Sequence, residues 1–264
     1  MTLAYAASQG GEHGAESSIG DAILHHVLDA KIISIKILGI DFSITKHVLM
    51  MWIAAALIIF IFRYVFREQR TVPSGAANLL EAIIVFLRDE VVLPNMGEEG
   101  RRYLPYLLTV FFFILFCNLL GLIPFAATPT GNVSVTAGLA LISLIMIQVG
   151  GIREYGLKHH LQNFIPHGIP AWLLPIMIPV EIMGQFTKPF ALCIRLFANM
   201  IAGHIVILAF LSMIFILQSL FVSPISIFFA LFISLLEIFI AFLQAYIFTI
   251  LTALFIGMSI HPQH

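Results

Sequence analysis

The C-terminal third of the chain opens with an almost continuously apolar stretch, LLPIMIPVEIMGQFTKPFALCIRLFANMIAGHIVILAFLSMIFILQSLFV, residues 173–222. As one helix it would extend roughly 75 Å, whereas the hydrocarbon core of a bilayer is only ~30 Å thick. After Ser223 and Pro224, a second apolar run reaches Ile260. Two helices of such length cannot both stand upright in a membrane. Residues 171–264 are therefore predicted to form a hairpin of two long, strongly tilted helices.

The alternative to this hairpin is four ordinary spans joined by turns that leave no mark in the sequence. Clusters of Gly, Asn and Asp usually mark such turns, and no such cluster divides either run. Pro175, Pro179 and Pro189 can bend the first helix without ending it. The absence of turn signals favours the hairpin.

The composition predicts an all-α integral membrane protein. The 264 residues are 60% hydrophobic and 10% charged, whereas a soluble domain carries about 25% charged residues. Only helices and closed barrels satisfy their backbone groups in lipid, and a barrel would alternate in short segments rather than form long apolar runs. The net charge of −1 gives no sign of nucleic-acid binding.

Upstream of the hairpin, residues 48–170 are predicted to hold upright transmembrane helices. The predicted spans are about 48–66, 103–125 and 133–149. Residues 79–92 are too short and too charged to span, so they are predicted to form an interfacial amphipathic helix. Residues 1–47 are predicted to be a tail that contains a short amphipathic helix on the membrane surface.

The basic residues predict the orientation of the chain. Positive charges near membrane spans collect on the cytoplasmic side, which places the N-terminus outside and the C-terminus inside. The residues that then lie inside are Arg63, Arg67, Arg70, Arg88, Arg101, Arg102, Arg153 and Lys158. Three lysines remain on the outer side, Lys31, Lys36 and Lys46.

Arg195 is the residue of the hairpin that is hardest to place in lipid. A guanidinium group stays protonated in proteins. A fixed charge at membrane depth costs at least ~2.5–3.5 kcal/mol, so such residues usually mark ion or proton paths. The alternative is a side chain that extends from a helix end to the interface. That alternative fits poorly, because apolar sequence continues for more than two turns after Arg195.

The other ionisable side chains of the hairpin follow a helical pattern. The ionisable groups predicted to be buried are Glu181, Lys188, Arg195, His204, Glu237 and His261. A spacing of seven puts Glu181, Lys188 and Arg195 on one face of the first helix. The same spacing puts Glu237 and Gln244 on one face of the second helix.

In an antiparallel hairpin, residues that lie opposite each other have position numbers with a constant sum. The sums are 439 for Arg195 with Gln244, 441 for His204 with Glu237, and 442 for Glu181 with His261. Three polar pairs are therefore predicted at three depths, with the hairpin centred near residue 220.

The outer and inner pairs each combine histidine with a carboxylate, and both groups can exchange protons near neutral pH. His204–Glu237 and Glu181–His261 are therefore predicted proton-handling sites on either side of Arg195, which can repel a proton but cannot relay one. The first pair could instead be a neutralising structural pair. The second could be hydrated near the interface.

Three stretches of the sequence carry a family resemblance: KPFALCIRLFANMIAGH at residues 188–204, CNLLGLIPF at Cys117–Phe125 and LLEIFIAFLQAYIFTILTALFIG at residues 235–257. They resemble the subunit a family of the F-type ATP synthase, the stationary proton-channel subunit of its membrane sector. The first stretch is the most specific. The resemblance covers nearly the whole chain from about residue 19.

The resemblance implies two long, near-horizontal helices that curve against a rotating ring of small c subunits. It implies that Arg195 is the essential arginine and that Asn199 and Gln244 are its polar neighbours. His204 and Glu237 would line the outer half-channel. Some family members carry Glu and His at these two positions in the opposite order, so this chain has the pair exchanged.

One position departs from the family pattern, because Gly121 stands where other members carry Asp. An acidic role cannot be carried over to this residue.

The implied partners are the c-subunit ring, b-type subunits of the peripheral stalk, the remainder of the F-type ATP synthase, and the lipid bilayer. The implied location is the bacterial cytoplasmic (inner) membrane, with the mitochondrial inner membrane as the alternative. No cofactor or metal is implied, and the subunit itself would make no covalent bond.

Two other functions are alternatives. A proton-coupled secondary transporter would also bury Arg, His and Glu, but it should show internal repeats and helices broken at Gly/Pro pairs, and the sequence shows neither. A lipid-modifying enzyme would need a nucleophile or a metal cluster, and no such motif occurs.

Overall fold

The computed structural model describes residues 31–33, 36–37, 40–41, 44–67, 75–123, 128–162, 174–217 and 222–261. The surface helix predicted within the N-terminal tail lies outside these residues. In the described part of the chain the helices are α1 (Lys46–Val65), α2 (Ala76–Phe86), α3 (Leu93–Met96), α4 (Leu104–Gly121), α5 (Val133–Gln162), α6 (Leu174–Leu217) and α7 (Val222–Ile260).

Short non-helical pieces precede and connect these helices. Two small antiparallel ladders precede α1, one pairing β1 (Lys31–Ile33) with β4 (Ile44–Thr45), the other pairing β2 (Lys36–Ile37) with β3 (Ile40–Asp41). Single 3₁₀ turns at Glu98–Arg102 and Pro129–Gly131 lead into α4 and α5.

Five of the described helices are long and apolar enough to cross a membrane. Their outward surfaces carry large apolar side chains, such as Phe60 on α1 and Leu231 on α7. Such contiguous apolar surface belongs in lipid or against a partner rather than in water. The prediction of an all-α integral membrane protein is confirmed, and the chain is a multi-pass membrane protein.

The segment between α1 and α4 is charged on one side and packed on the other. After α2, the backbone widens into a π-helical turn at Leu87–Val92, where Leu87, Val91 and Val92 are buried. Arg88 and Asp89 stay exposed and are joined by a 2.7 Å hydrogen bond, which lowers the pKa of the Asp89 carboxyl. The turn therefore keeps its charges outward while its apolar side chains join the core.

The core forms where α4 packs against α7, around side chains such as Phe111, Leu107 and Phe248. Two hydrogen bonds join the end of α7 to α5. The hydroxyl of Tyr155 donates to the carbonyl of Ile260 at 2.8 Å, and that of Ser259 donates to the carbonyl of Ile147 at 2.9 Å. The C-terminal end of α7 is therefore held against α5.

Helices α6 and α7 form the two arms of the C-terminal segment, with 44 and 39 residues. At 1.5 Å per residue they are roughly 66 and 59 Å long, well beyond the ~30 Å core of a bilayer. Their tilt in a membrane stays a prediction.

Contacts between the two arms follow the constant-sum rule of an antiparallel pair. They join Lys188 to Phe255, Asn199 to Gln244, and His204 to Glu237, with position sums of 443, 443 and 441. The arms are therefore in a single register along much of their length.

Candidate proton path

Arg195 lies on an outward side of α6. Its side chain lines an open groove of about 670 Å³ between α6 and α7, together with Lys188, Thr187, Leu251 and Phe255. Lys188 has a partner there, because its ammonium lies 5.2 Å from the centre of the Phe255 ring. Arg195 forms no hydrogen bond or ion pair with any residue in the described part of the chain. Within the described part of the chain, its charge has no anionic partner.

One turn along α6, an amide pair joins the two arms. The side-chain amide of Asn199 donates to the side-chain oxygen of Gln244 at 2.8 Å, and Gln244 is only 3% exposed. The prediction that Gln244 pairs with Arg195 is therefore wrong, because Gln244 pairs with Asn199. The cause is the register of the two arms. The position sum is 443 instead of 439, so the partner of Gln244 on α6 lies four residues further along, which is about one helical turn.

Nearer the end of α6, His204 meets Glu237 of α7. Nδ1 of the imidazole lies 3.7 Å from the Glu237 carboxylate, and Glu237 is only 7% exposed. Its second oxygen, Oε2, has no hydrogen-bond partner in the described part of the chain. A Cβ atom at Gly203 would collide with this carboxylate. The glycine therefore provides the space in which the carboxylate lies beside α6.

The remaining contacts of the His204 ring come from backbone and hydroxyl groups. Nδ1 lies 3.1 Å from the carbonyl of Met200, while Nε2 lies 3.0 Å from both the carbonyl of Gly121 and the hydroxyl of Thr128. Carbonyl oxygens only accept, and a neutral imidazole donates from one nitrogen alone. The two carbonyl oxygens can therefore accept hydrogen bonds from both ring nitrogens when both carry protons.

Gly121 itself cannot take a side chain in this arrangement. A Cβ atom there would collide with the side chain of Thr128. At this departure from the family pattern, Thr128 therefore occupies the space that a side chain at position 121 would need.

Behind Thr128, a buried polar network ties the loop to two helices. The hydroxyl of Thr130 donates to the side-chain oxygen of Asn118 at 2.7 Å, and the Asn118 amide lies 3.5 Å from the carbonyl of Ala241. Asn118 is 0% exposed. The 3₁₀ turn Pro129–Gly131 is thereby fixed to α4 and α7.

At the opposite end of the hairpin, His261 meets a residue that sequence analysis did not select. Its Nε2 lies 3.9 Å from the Glu99 carboxylate in the turn before α4. The side chain of Glu181 lies outside the described part of the structure, although its backbone belongs to α6. The pairing of Glu181 with His261 therefore stays a prediction.

Among the described residues, no group of three or more His, Cys, Asp or Glu side chains could hold a metal ion. The chemistry that this arrangement offers is proton exchange at paired histidine and carboxylate groups, with the fixed positive charge of Arg195 further along the hairpin.

Comparison with known proteins agrees with this chemistry. Residues 48–257 match the family model described as ATP synthase A chain. The chain belongs to this family. ATP synthase subunit a of Myxococcus xanthus is 53% identical over 229 residues, covering 85% of this chain and 75% of that protein. ATP synthase subunit a of Chloroherpeton thalassium is 47% identical, covering 100% of this chain and 90% of that protein.

Membership in the ATP synthase A chain family identifies a proton-channel subunit that works within an F-type ATP synthase. The alternative of a proton-coupled secondary transporter is not favoured. The roles of individual residues in this family member follow from the geometry and are proposed below.

Besides Glu99, three residues beside the candidate path were missed by sequence reasoning. The sequence did contain a signal that could have identified Asn118, since a side-chain amide inside an uncharged span needs a hydrogen-bond partner and often marks a pathway. No such signal identified Thr128 and Thr130, because threonines in a span or a link usually bond to nearby backbone.

Proposed function

We propose that Arg195 separates two half-channels in this subunit, and that protons pass between them only by riding on an external carboxylate. One observation carries the proposal. The Arg195 guanidinium faces an open groove and has no anionic partner in the described residues, while titratable side chains lie further along the hairpin in both directions.

The external carboxylate would belong to a ring of c subunits that turns past the groove. A nearby guanidinium stabilises the ionised form of a carboxylate. A protonated ring carboxylate that reaches Arg195 therefore releases its proton on one side, and it regains one only after it has passed. The positive charge of the guanidinium also repels protons that would otherwise run directly between the half-channels.

The outer half-channel would use His204 and Glu237 to exchange protons with the ring, with Asn199 and Gln244 between that pair and Arg195. The Asn199–Gln244 hydrogen bond fixes the distance between α6 and α7 at this level. It also offers polar groups to water at a depth where the surroundings are apolar.

The inner half-channel would open near Glu181 and His261. The backbone of Glu181 lies in the first part of α6, on the opposite side of Arg195 from His204. Each proton that descends the membrane potential supplies ~2.3 kcal/mol per 100 mV. Access from one side and exit to the other converts this free energy into rotation.

The same proposal extends to partners and location. The c-subunit ring would cover the groove, and b-type subunits of a peripheral stalk would hold the chain stationary. The chain would lie in the bacterial cytoplasmic membrane with its N-terminus outside and its C-terminus inside, and both arms of the hairpin would be strongly tilted. The apolar outward surfaces of α6 and α7 support contact with lipid and with an apolar ring.

A cross-linking experiment tests which molecule covers the groove. A photoreactive maleimide would be attached to a cysteine introduced by Thr187→Cys in the assembled complex, after Cys117 and Cys193 are replaced by serine. Thr187 lines the groove and is exposed. We expect an adduct with the small ring subunit, identified by its mass.

The matched control is Ile59→Cys on α1, which is 67% exposed but lies outside the groove. It should give no ring adduct. Equal labelling of the ring from both positions, or labelling only from residue 59, would overturn the proposed location of the ring.

A further inference from the structure

The hydroxyl of Thr128 contacts the His204 ring from the loop before α5. Its Oγ1 lies 3.0 Å from Nε2, and the residue is only 7% exposed. The loop backbone is fixed as well, because the carbonyl of Thr128 accepts a 3.0 Å hydrogen bond from the amide of Gly131. The hydroxyl is therefore a built part of the His204 environment rather than a surface group.

Packing against Gly121 determines where this hydroxyl lies. A Cβ atom added to the glycine would collide with Oγ1, Cγ2 and Cβ of Thr128. The Thr128 side chain thus lies directly on the glycine backbone, in the space that a side chain at position 121 would fill. The same glycine presents its carbonyl to Nε2 at 3.0 Å.

The two neighbours of Nε2 suit two protonation states of the ring. When Nε2 is unprotonated, it can accept a hydrogen bond from the Thr128 hydroxyl, whereas the Gly121 carbonyl can only accept. When Nε2 carries a proton, it can donate to that carbonyl. Thr128 is the only one of these two groups that can both give and receive a proton.

We propose that Thr128 is the hydroxyl through which protons from the outer side reach Nε2 of His204. The Oγ–H bond of Thr128 breaks as an N–H bond forms at Nε2, and Oγ takes a replacement proton from a hydronium ion, which becomes water. The positive charge moves from the hydronium ion to the imidazolium. This role rests on the proposed outer half-channel of His204 and Glu237.

The charged surroundings of the ring support this direction of transfer. Glu237 of α7 is the titratable group that the described structure places beside His204, at 3.7 Å from Nδ1. From α4 and from the loop before α5, the ring meets the Gly121 carbonyl and the Thr128 hydroxyl, which are neutral. The imidazolium therefore forms next to a carboxylate that stabilises it.

Three substitutions separate a relay from a packing role. Thr128→Ser keeps the hydroxyl, Thr128→Val keeps the shape but replaces the hydroxyl with a methyl group, and Thr128→Ala removes both while leaving room for a water molecule. A relay predicts that proton flux is highest in Thr128→Ser, lower in Thr128→Ala and lowest in Thr128→Val. A packing role predicts that Thr128→Val retains its flux and that Thr128→Ala loses the most.

The measurement is passive proton flux into vesicles that contain the assembled complex, recorded against outer pH. We expect Thr128→Ser to stay within about twofold of the parent and Thr128→Val to fall by roughly tenfold or more, since a hydrogen bond to a charged group contributes on that order. We also expect the flux of the Val variant to depend more steeply on outer pH. The matched control is Thr109→Val, because the Thr109 hydroxyl is exposed and, among the described residues, bonds to its own helix at the carbonyl of Pro105.

His204→Ala in the same assay separates this inference from the proposed function. If His204→Ala slows the flux while Thr128→Val does not, the role of Thr128 is overturned and the half-channel stands. If His204→Ala conducts like the parent, the outer path itself is wrong. If Thr128→Val fails to assemble, the comparison of Thr128→Ser with Thr128→Ala decides. A packing role predicts that the proton flux of each variant is proportional to the amount of assembled complex. A relay predicts that Thr128→Ala conducts more slowly than Thr128→Ser even when equal amounts of complex are assembled.

Discussion

The Glu237 carboxylate lies 3.7 Å from Nδ1 of His204, although the two residues belong to different arms of the hairpin. Their approach depends on Gly203, whose missing side chain leaves room for the carboxylate. The Thr128 hydroxyl and the Gly121 carbonyl meet the opposite nitrogen of the same ring. His204 is therefore the point at which three separate parts of the chain meet around one titratable group.

Replacing the carboxylate by an amide should affect transport more than assembly. Glu237→Gln nearly preserves shape but removes the negative member of the pair, so a protonated His204 loses its stabilisation. We expect a large loss of proton flux in reconstituted vesicles together with normal recovery of the complex in mild detergent. Unchanged flux with loss of the complex would assign the pair to structure instead.

Filling the space at Gly203 should disturb the same pair from the other arm. In Gly203→Ala, the added methyl group would collide with the Glu237 carboxylate, which must then move away from His204. We expect slower proton flux and a lower melting temperature of the complex.

Gly138→Ala is the matched control, because an added Cβ at this helical position meets nothing within 4 Å. It should keep the parental flux and can gain stability, since Ala is favoured over Gly in a helix by about 1 kcal/mol. Equal effects of the two substitutions would show that the space at Gly203 has no special importance.

The register of the hairpin can be tested by disulfide formation. With Cys117 and Cys193 replaced by serine, cysteines introduced at positions 204 and 237 should cross-link readily under mild oxidation. A pair at 195 and 237 should not, because it is displaced along the hairpin by nine residues on α6. Band shifts on non-reducing gels give the result, and the reverse pattern would mean that the register is wrong.

The sequence predicted the contact of His204 with Glu237 because two long apolar runs with a single turn signal between them leave few registers open. Helical spacing then restricts the partners to residues with a nearly constant position sum. The sequence was less able to choose between sums that differ by four, because such a shift keeps the same helix faces in contact. That is why Gln244 was assigned to Arg195 and lies instead against Asn199.

Contacts made by loops and turns could not be predicted in this way. Glu99 lies in a charged turn, and the packing of α3 against α7 brings it to His261. Thr128 precedes a 3₁₀ turn, and its position depends on the folding of that turn onto α4. Periodicity records the face of a helix that is buried, but it carries no information about which loop covers the end of that helix.

The most direct test of the separator role is made with Arg195→Ala in the assembled complex. Its matched control is Lys188→Ala, which removes a neighbouring cation from the same groove. Lys188 already has the Phe255 ring as a partner, so its loss should matter less. Arg195→Lys should be nearly as damaging as Arg195→Ala, because lysine loses the planar five-donor group and can deprotonate when desolvated.

The decisive measurement is ATP synthesis driven by an imposed proton gradient in vesicles containing Arg195→Ala, with passive proton conductance recorded in the same preparation. We predict that synthesis is abolished while the complex stays associated and the passive conductance persists or rises, because the barrier between the half-channels has been removed. Near-normal coupled synthesis by Arg195→Ala would contradict the proposal that this arginine separates the two half-channels.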